Sequence, residues 1–297
     1  MHLLIAFLVP LMGGLSIIIE NLLSNKTFKH PITMVFYVSL SYALFLPLVL
    51  FYGTPSIPSG EVFICYVVLA FINIAYLYPY YLALKVIDTS IVSALFALGE
   101  ITVPVMSYLW LGERLAFTQY IGFAIIVMSS VALSIKGNKI PKLHKAFFYM
   151  VFAAIIISFS KVMEKYALNN DDNWINVVVY PRLMSGILPF LFLLVAKWRR
   201  NIVKNFPPYK EKFRFFIGIE LIEFLSAIAG IYALTAYSPV VITAVNSTEP
   251  IFVLAISFML FYYLKMGLSE KISTQILLKK LFCFVLIILG VILVTVP

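Results

Sequence analysis

Eight ionisable side chains lie inside apolar runs, where lipid offers no water to solvate them: Glu20, Glu100, Lys161, Glu164, Arg182, Glu220, Glu223 and Glu249. A charge at that depth costs about 2.5–3.5 kcal/mol on insertion scales, so such groups mark substrate, ion or proton pathways by default. Glu249 and Glu100 share a setting. Each ends an apolar segment opened by a small hydroxyl, Ser238-Pro239 in one case and Thr89-Ser90 in the other, and each is followed by a helix-breaking proline, Pro250 or Pro104. Pro104 has no N–H for the Glu100 carbonyl, and Pro250 has none for the carbonyl of Asn246. A freed carbonyl beside a carboxylate suits a cation, a substrate ammonium or a proton. The plainer account is a kinked helix whose acid hydrogen-bonds a neighbour.

The remaining candidates carry their own alternatives. Glu220 and Glu223 stand three apart on one helical face, a spacing that suits proton release; equally, Glu220 lies near enough to a basic segment to reach the interface. Glu164 has Lys161 one turn before it and Lys165 beside it, which predicts an ion pair internal to one helix, with substrate contact as the second option. Glu20 stands near the end of its run, facing a cavity or pairing with a lysine such as Lys26. Arg182, after Tyr180-Pro181, either orients a substrate carboxylate through two parallel hydrogen bonds or neutralises a glutamate. Tyr80 belongs to a crowd with Tyr76, Tyr78 and Tyr81 around Pro79. Their rings form a cation-π wall or an interfacial aromatic belt. No chemistry of bond-making is indicated: His2, His30 and His144 sit at the ends of runs, and neither a metal-spaced cluster nor a glycine-rich phosphate loop occurs. No catalytic residue, metal or cofactor is expected, and Cys65 and Cys283 are too far apart in sequence to suggest a disulfide framework.

The elements that must position these groups are transmembrane helices. Hydrophobic residues make up 63% of the 297 and charged residues 12%, about half the usual share in soluble chains. A hydrocarbon core of about 30 Å needs about 20 apolar residues per crossing. The sequence offers ten such runs, 2–23, 32–53, 62–84, 89–111, 117–136, 146–168, 174–197, 213–236, 238–264 and 276–296, with basic loops at 136–145 and 197–214. The first run lacks a basic start and a cleavage site, so it is expected as a span and not as a signal peptide. The net charge of +9 reflects basic loops between spans, and nucleic acid is not expected as a partner.

Ten runs divide into two fives. Thr89 and Glu100 recur as Ser238 and Glu249 at one offset, Ser16 and Glu20 as Ser160 and Glu164 at another, and Tyr37 as Tyr180. This predicts an all-α membrane protein of two inverted five-helix repeats, residues 1–144 and 145–297, around a central cavity. Runs five and ten carry no charge in their interiors and are expected at the periphery.

Trp110-Leu111-Gly112-Glu113-Arg114-Leu115 resembles the "LGERL" signature of the EamA family, and Ser238-Pro239 with Glu249-Pro250 resembles its helix start and its "EP" motif. That family belongs to the drug/metabolite transporter superfamily. The resemblance implies two inverted repeats, a central substrate cavity and alternating access. The chain departs from the pattern after Glu249, where "LGE" is replaced by Phe261-Tyr262-Tyr263-Leu264-Lys265, and at Ser39, where the repeat calls for a counterpart to Arg182.

The expected function is secondary transport of a small polar metabolite, cationic or zwitterionic, coupled to protons or to a counter-substrate. The alternatives are an anionic cargo organised by Arg182 and Lys161, and a non-transporting scaffold or channel. Loops on one side carry 18 of the 22 Lys and Arg residues, which puts that side in the cytoplasm of a cell (inner) membrane and both termini outside. The lipid bilayer is the surrounding partner, and the expected state is a monomer or homodimer.

Overall fold

The structure, a computed structural model, describes residues 2–28, 30–86, 89–100, 102–134, 145–264 and 274–295. Among these residues the elements are helical, and no strand occurs. In chain order they are α1 (His2–Ala6), α2 (Leu8–Lys26), α3 (Pro31–Ser41), α4 (Leu46–Val49), α5 (Gly60–Ala75), α6 (Leu77–Leu84), α7 (Thr89–Glu100), α8 (Thr102–Leu111) and α9 (Phe117–Ser134). The second half continues with α10 (Lys145–Asn170), α11 (Trp174–Ile187), a 3-10 turn (Leu188–Leu194), α12 (Ala196–Lys204), α13 (Phe206–Ala236), α14 (Pro239–Asn246), α15 (Glu249–Leu264) and α16 (Thr274–Thr295).

Seven helical stretches are long and apolar enough to cross a membrane: His2–Ser24, Pro31–Val49, Gly60–Leu84, Phe147–Asn170, Trp174–Leu194, Phe206–Ala236 and Pro239–Ser257. Runs 89–111, 117–136 and 276–296 appear as the shorter apolar helices Thr102–Leu111, Phe117–Ser129 and Leu281–Val294. Part of each of these runs lies outside the residues whose helices and burial are described. One expectation is overturned. The segment 197–214 is largely helical, not loop: α12 occupies its first part, and α13 starts at Phe206 because Pro207 and Pro208 supply the fixed φ and need no N–H in a first turn.

Prolines write the finer structure. Three helices end four residues before one: α1 at Ala6 before Pro10, α5 at Ala75 before Pro79, and α14 at Asn246 before Pro250. In each case the carbonyl of the last helical residue has lost its i+4 donor, and the ladder stops there. Side-chain caps start others. Ser59 accepts from Val62 N–H at the head of α5, Asn173 from Ile175 N–H at α11, and Ser238 from Val241 N–H at α14. Gly112, at φ 67°, takes the chain out of α8, which gives the Leu-Gly of the signature its physical role.

The packing crosses between the halves of the chain. Helix α2 lies against α13 and α15, and α10 lies against α5, α6 and α7. Helix α11 packs on α5, and α3 packs on α13. Helices α9 and α16 run together closely enough that a Cβ on Gly122 would meet the Gly290 carbonyl at 2.7 Å, the close backbone approach that small residues permit between membrane helices.

Candidate functional site

The broken helices enclose a cavity of about 190 Å³. Its wall takes Glu20 from α2, Tyr80 from α6, Glu100 from α7, Lys161 from α10, Glu223 from α13, Asn246 from α14 and Glu249 from α15. A second cavity of about 120 Å³ holds Glu164 and Arg182 and shares Tyr42, Tyr76, Ile157 and Lys161 with the first, so the two adjoin. Nine of the ten candidate residues therefore line one hollow or its neighbour, and Glu220 lies behind the wall. Neither cavity takes a lining residue from α9 or α16.

Each of the two proline-flanked glutamates is met by a hydroxyl from the opposite half. Ser93 of α7 donates to Glu249 Oε1 at 2.7 Å, and Ser247, in the break after α14, donates to Glu100 Oε2. On the far side of Glu249, Gly13 leaves the room that the carboxylate fills: a Cβ there would stand 2.8 Å from Oε2. Around these pairs, Ser16 Oγ, Thr243 Oγ1 and Asn246 Oδ1 are buried without a hydrogen-bond partner, and all three residues line the cavity. Unpaired buried oxygens are costly to leave bare, and a donor-rich ligand would satisfy them.

The other acids are held differently. Glu20, only 7% exposed, accepts from Tyr80 at 2.7 Å and from Tyr81 at 2.6 Å, one hydroxyl to each oxygen. The lysine expectation for Glu20 gives way to these phenols; the side chain of Lys26 lies outside the described residues. Lys161 and Glu164 form the intrahelical ion pair at 3.2 Å. Glu220 does not reach for the interface. It is 1% exposed and bonds Arg182 Nη1 at 2.5 Å, because α11 brings the guanidinium against α13 at that depth. Arg182 Nη2 also donates to the Glu223 carbonyl at 2.8 Å, and the guanidinium stands over the Tyr42 and Phe224 rings. Glu220 and Glu223, expected as neighbours in one role, are thus divided between an ion pair and the cavity wall.

The tyrosine crowd is not an interfacial belt. Tyr80 and Tyr81 are buried, Tyr76 and Tyr80 line the cavity with Tyr42 and Phe96, and Tyr78 alone of the crowd is exposed. The break at Tyr76, ahead of Pro79, turns these rings inward. Four carboxyl groups, an aromatic wall and hydroxyls face one ammonium, that of Lys161, in the larger cavity. Such a wall favours a positively charged or donor-rich small solute.

The sequence did not single out Ser93, Ser247, Thr243 or Gly13. Each hydroxyl–carboxyl pair joins positions 156 or 147 apart, close to the offset between the two copies, so a search at that offset is the signal that would have raised them.

No curated protein matches the chain. A solved structure described only as a crystal structure of protein superposes with a TM-score of 0.62, over 97% of this chain and 98% of the other, at 15% identity; the two share a fold. Glu249-Pro250 falls outside the family match, whereas the Leu111–Leu115 signature falls within it. Residues 1–135 match the EamA-like transporter family, in keeping with the drug/metabolite transporter superfamily to which the motifs point.

Proposed function

We propose that the chain is a secondary active transporter in which two inverted five-helix repeats, residues 1–144 and 145–297, expose a shared cavity to either side of the membrane in turn. The observation that carries this is the reciprocal pairing across the cavity, Ser93 to Glu249 and Ser247 to Glu100, which ties the proline-bearing span of each half to the other. The helix partnerships support the repeat. Exchanging each span for its counterpart turns the α2–α13 contact into α10 on α5 and α6, α2–α15 into α10–α8, and α5–α11 into α13–α3, all of which are present. An odd number of crossings per repeat makes the two copies antiparallel, which places their interface at mid-membrane.

The cargo proposed is a small cation or zwitterion: an amino acid, an amine or a quaternary ammonium. Glu249 and Glu100 are the groups proposed to alternate between cargo and proton, with Asn246, Glu223 and Glu20 in supporting contact and Tyr80 in the aromatic wall. The anionic alternative needs Arg182 and Lys161, and both are already paired, with Glu220 and Glu164. A scaffold or channel has no need of proline-bearing spans tied to each other through their carboxylates. The charge distribution supports a cytoplasmic basic side and termini outside the cell membrane.

Reconstituted in liposomes with an imposed pH gradient, the wild type should move members of an amine and amino-acid panel, and Glu249→Gln should cut that driven flux about ten-fold or more while leaving thermal stability near wild type. Anion flux with amines ignored, or undiminished driven flux in Glu249→Gln, would refute the assignment. Arg182→Ala should destabilise by about 3–5 kcal/mol, since it strands a buried carboxyl, and Arg182→Met with Glu220→Leu should recover most of that loss. A wild-type melting temperature in Arg182→Ala, together with selective loss of anion flux, would instead favour the anionic reading. A tag at the C-terminus should be labelled in intact cells without permeabilisation; labelling only after permeabilisation would reverse the orientation.

A further inference from the structure

The segment between the 3-10 turn and the membrane-crossing part of α13 has a composition that the transport reading does not use. Residues 196–214 hold seven Lys and Arg residues against the single acid Glu211. On α12, Lys197, Arg200 and Lys204 are spaced i, i+3, i+7 and all three are exposed, which puts three cations on one face. Trp198 and Ile202, one turn apart, occupy the opposite side. Ile202 is buried in the core, and Trp198 meets Phe192 edge-on at 5.6 Å. Beside them Leu194, Val203 and Phe206 are bare, at 79%, 63% and 55% exposure. A short helix with cations on one face and uncovered apolar side chains along its flank is built to lie in the plane of the membrane interface.

The same helix is fastened to the cavity wall. At its C-terminal end the Ile202 carbonyl accepts the Asn205 N–H at 3.1 Å, and Tyr37 of α3 adds a second donor, its hydroxyl, at 2.8 Å. The Tyr37 ring stacks on Tyr209 of α13 at 4.1 Å, which closes the joint on its second side. Val38, next to Tyr37, and Tyr42, at the end of α3, both line the larger cavity.

We propose that the exposed face of α12, with Lys210 and Arg214 at the start of α13, binds the headgroups of anionic phospholipids, and that lipid held there stabilises the seating of α12 on α3. Basic residues at a membrane surface attract anionic lipid by about 1 kcal/mol each, so each charge removed weakens headgroup binding about five-fold.

Thermal melting of the purified full chain in neutral detergent, with phosphatidylglycerol or phosphatidylcholine added, tests this without any knowledge of the cargo. Phosphatidylglycerol should raise the wild-type melting temperature, phosphatidylcholine should not, and the shift should shrink as salt shortens the screening length from about 10 Å at 0.1 M to about 3 Å at 1 M. K197Q/R200Q/K204Q should lose most of the shift, and the exposed-site control Arg114→Gln should keep it. Tyr37→Phe should retain the phosphatidylglycerol adducts seen by native mass spectrometry while losing part of the melting shift. An equal effect of both lipids, an equal effect of free glycerol phosphate, a full shift in the triple variant, or equal losses in Arg114→Gln would each overturn the proposal.

Discussion

A carboxyl group in the hydrocarbon slab has to find its hydrogen bonds within the protein, and that requirement organises this molecule. Glu249 and Glu100 find hydroxyls on the opposite half, Glu20 finds two phenols, and Glu220 finds a guanidinium. A bare buried acceptor costs about 1–3 kcal/mol and more when charged, so these partnerships fix the depth and rotation of the helices that carry them. The cavity is what remains when polar groups from both halves turn towards one another and away from lipid. Helices α9 and α16, whose charges are confined to Lys279 and Lys280 near the start of α16, can then close the outside, packed on each other through a glycine contact.

Proline supplies the means. A continuous helix satisfies its own backbone and leaves nothing polar for a ligand, whereas each break four residues before a proline frees a carbonyl within a membrane-spanning stretch. Residues at or near the breaks at Phe7, Tyr76 and Ser247, namely Val9, Tyr76 and Asn246, line the larger cavity. Irregular backbone at membrane depth is tolerable only where protein or a polar hollow covers it, so the breaks and the cavity depend on one another. On the proposed reading, the breaks are also where the two halves shift against each other, because the hydrogen-bond ladder is already interrupted there.

Much of this was legible in the sequence, because lipid makes the rules strict. Apolar runs located the helices, and Pro250 located the break after Asn246; the corresponding position after Glu100 lies outside the described residues. What escaped has identifiable causes. The sequence shows that Ser93 and Ser247 are polar but not that they face carboxyls on distant spans, since such pairings are set by how repeats dock and not by local spacing. Glu220 seemed near enough to a basic loop to reach water, yet that loop is helix, and α11 delivers Arg182 to it first. The tyrosines around Pro79 had the composition of an interfacial belt, and the turn of the helix at Tyr76 sends them inward. Lys161 and Glu164 needed only one-turn spacing on one helix, and there sequence and structure agree.

The central claim is that Glu100 and Glu249 face a shared wet hollow and not the acyl chains. Single cysteines at these two positions, in a background with Cys65 and Cys283 replaced, measure this directly through their reaction with a charged, water-soluble thiosulfonate and with a lipid-soluble maleimide. The account predicts that both cysteines react with the charged reagent and are shielded from it by a transported amine. Reaction with the lipid-soluble reagent alone, at both positions, would contradict it.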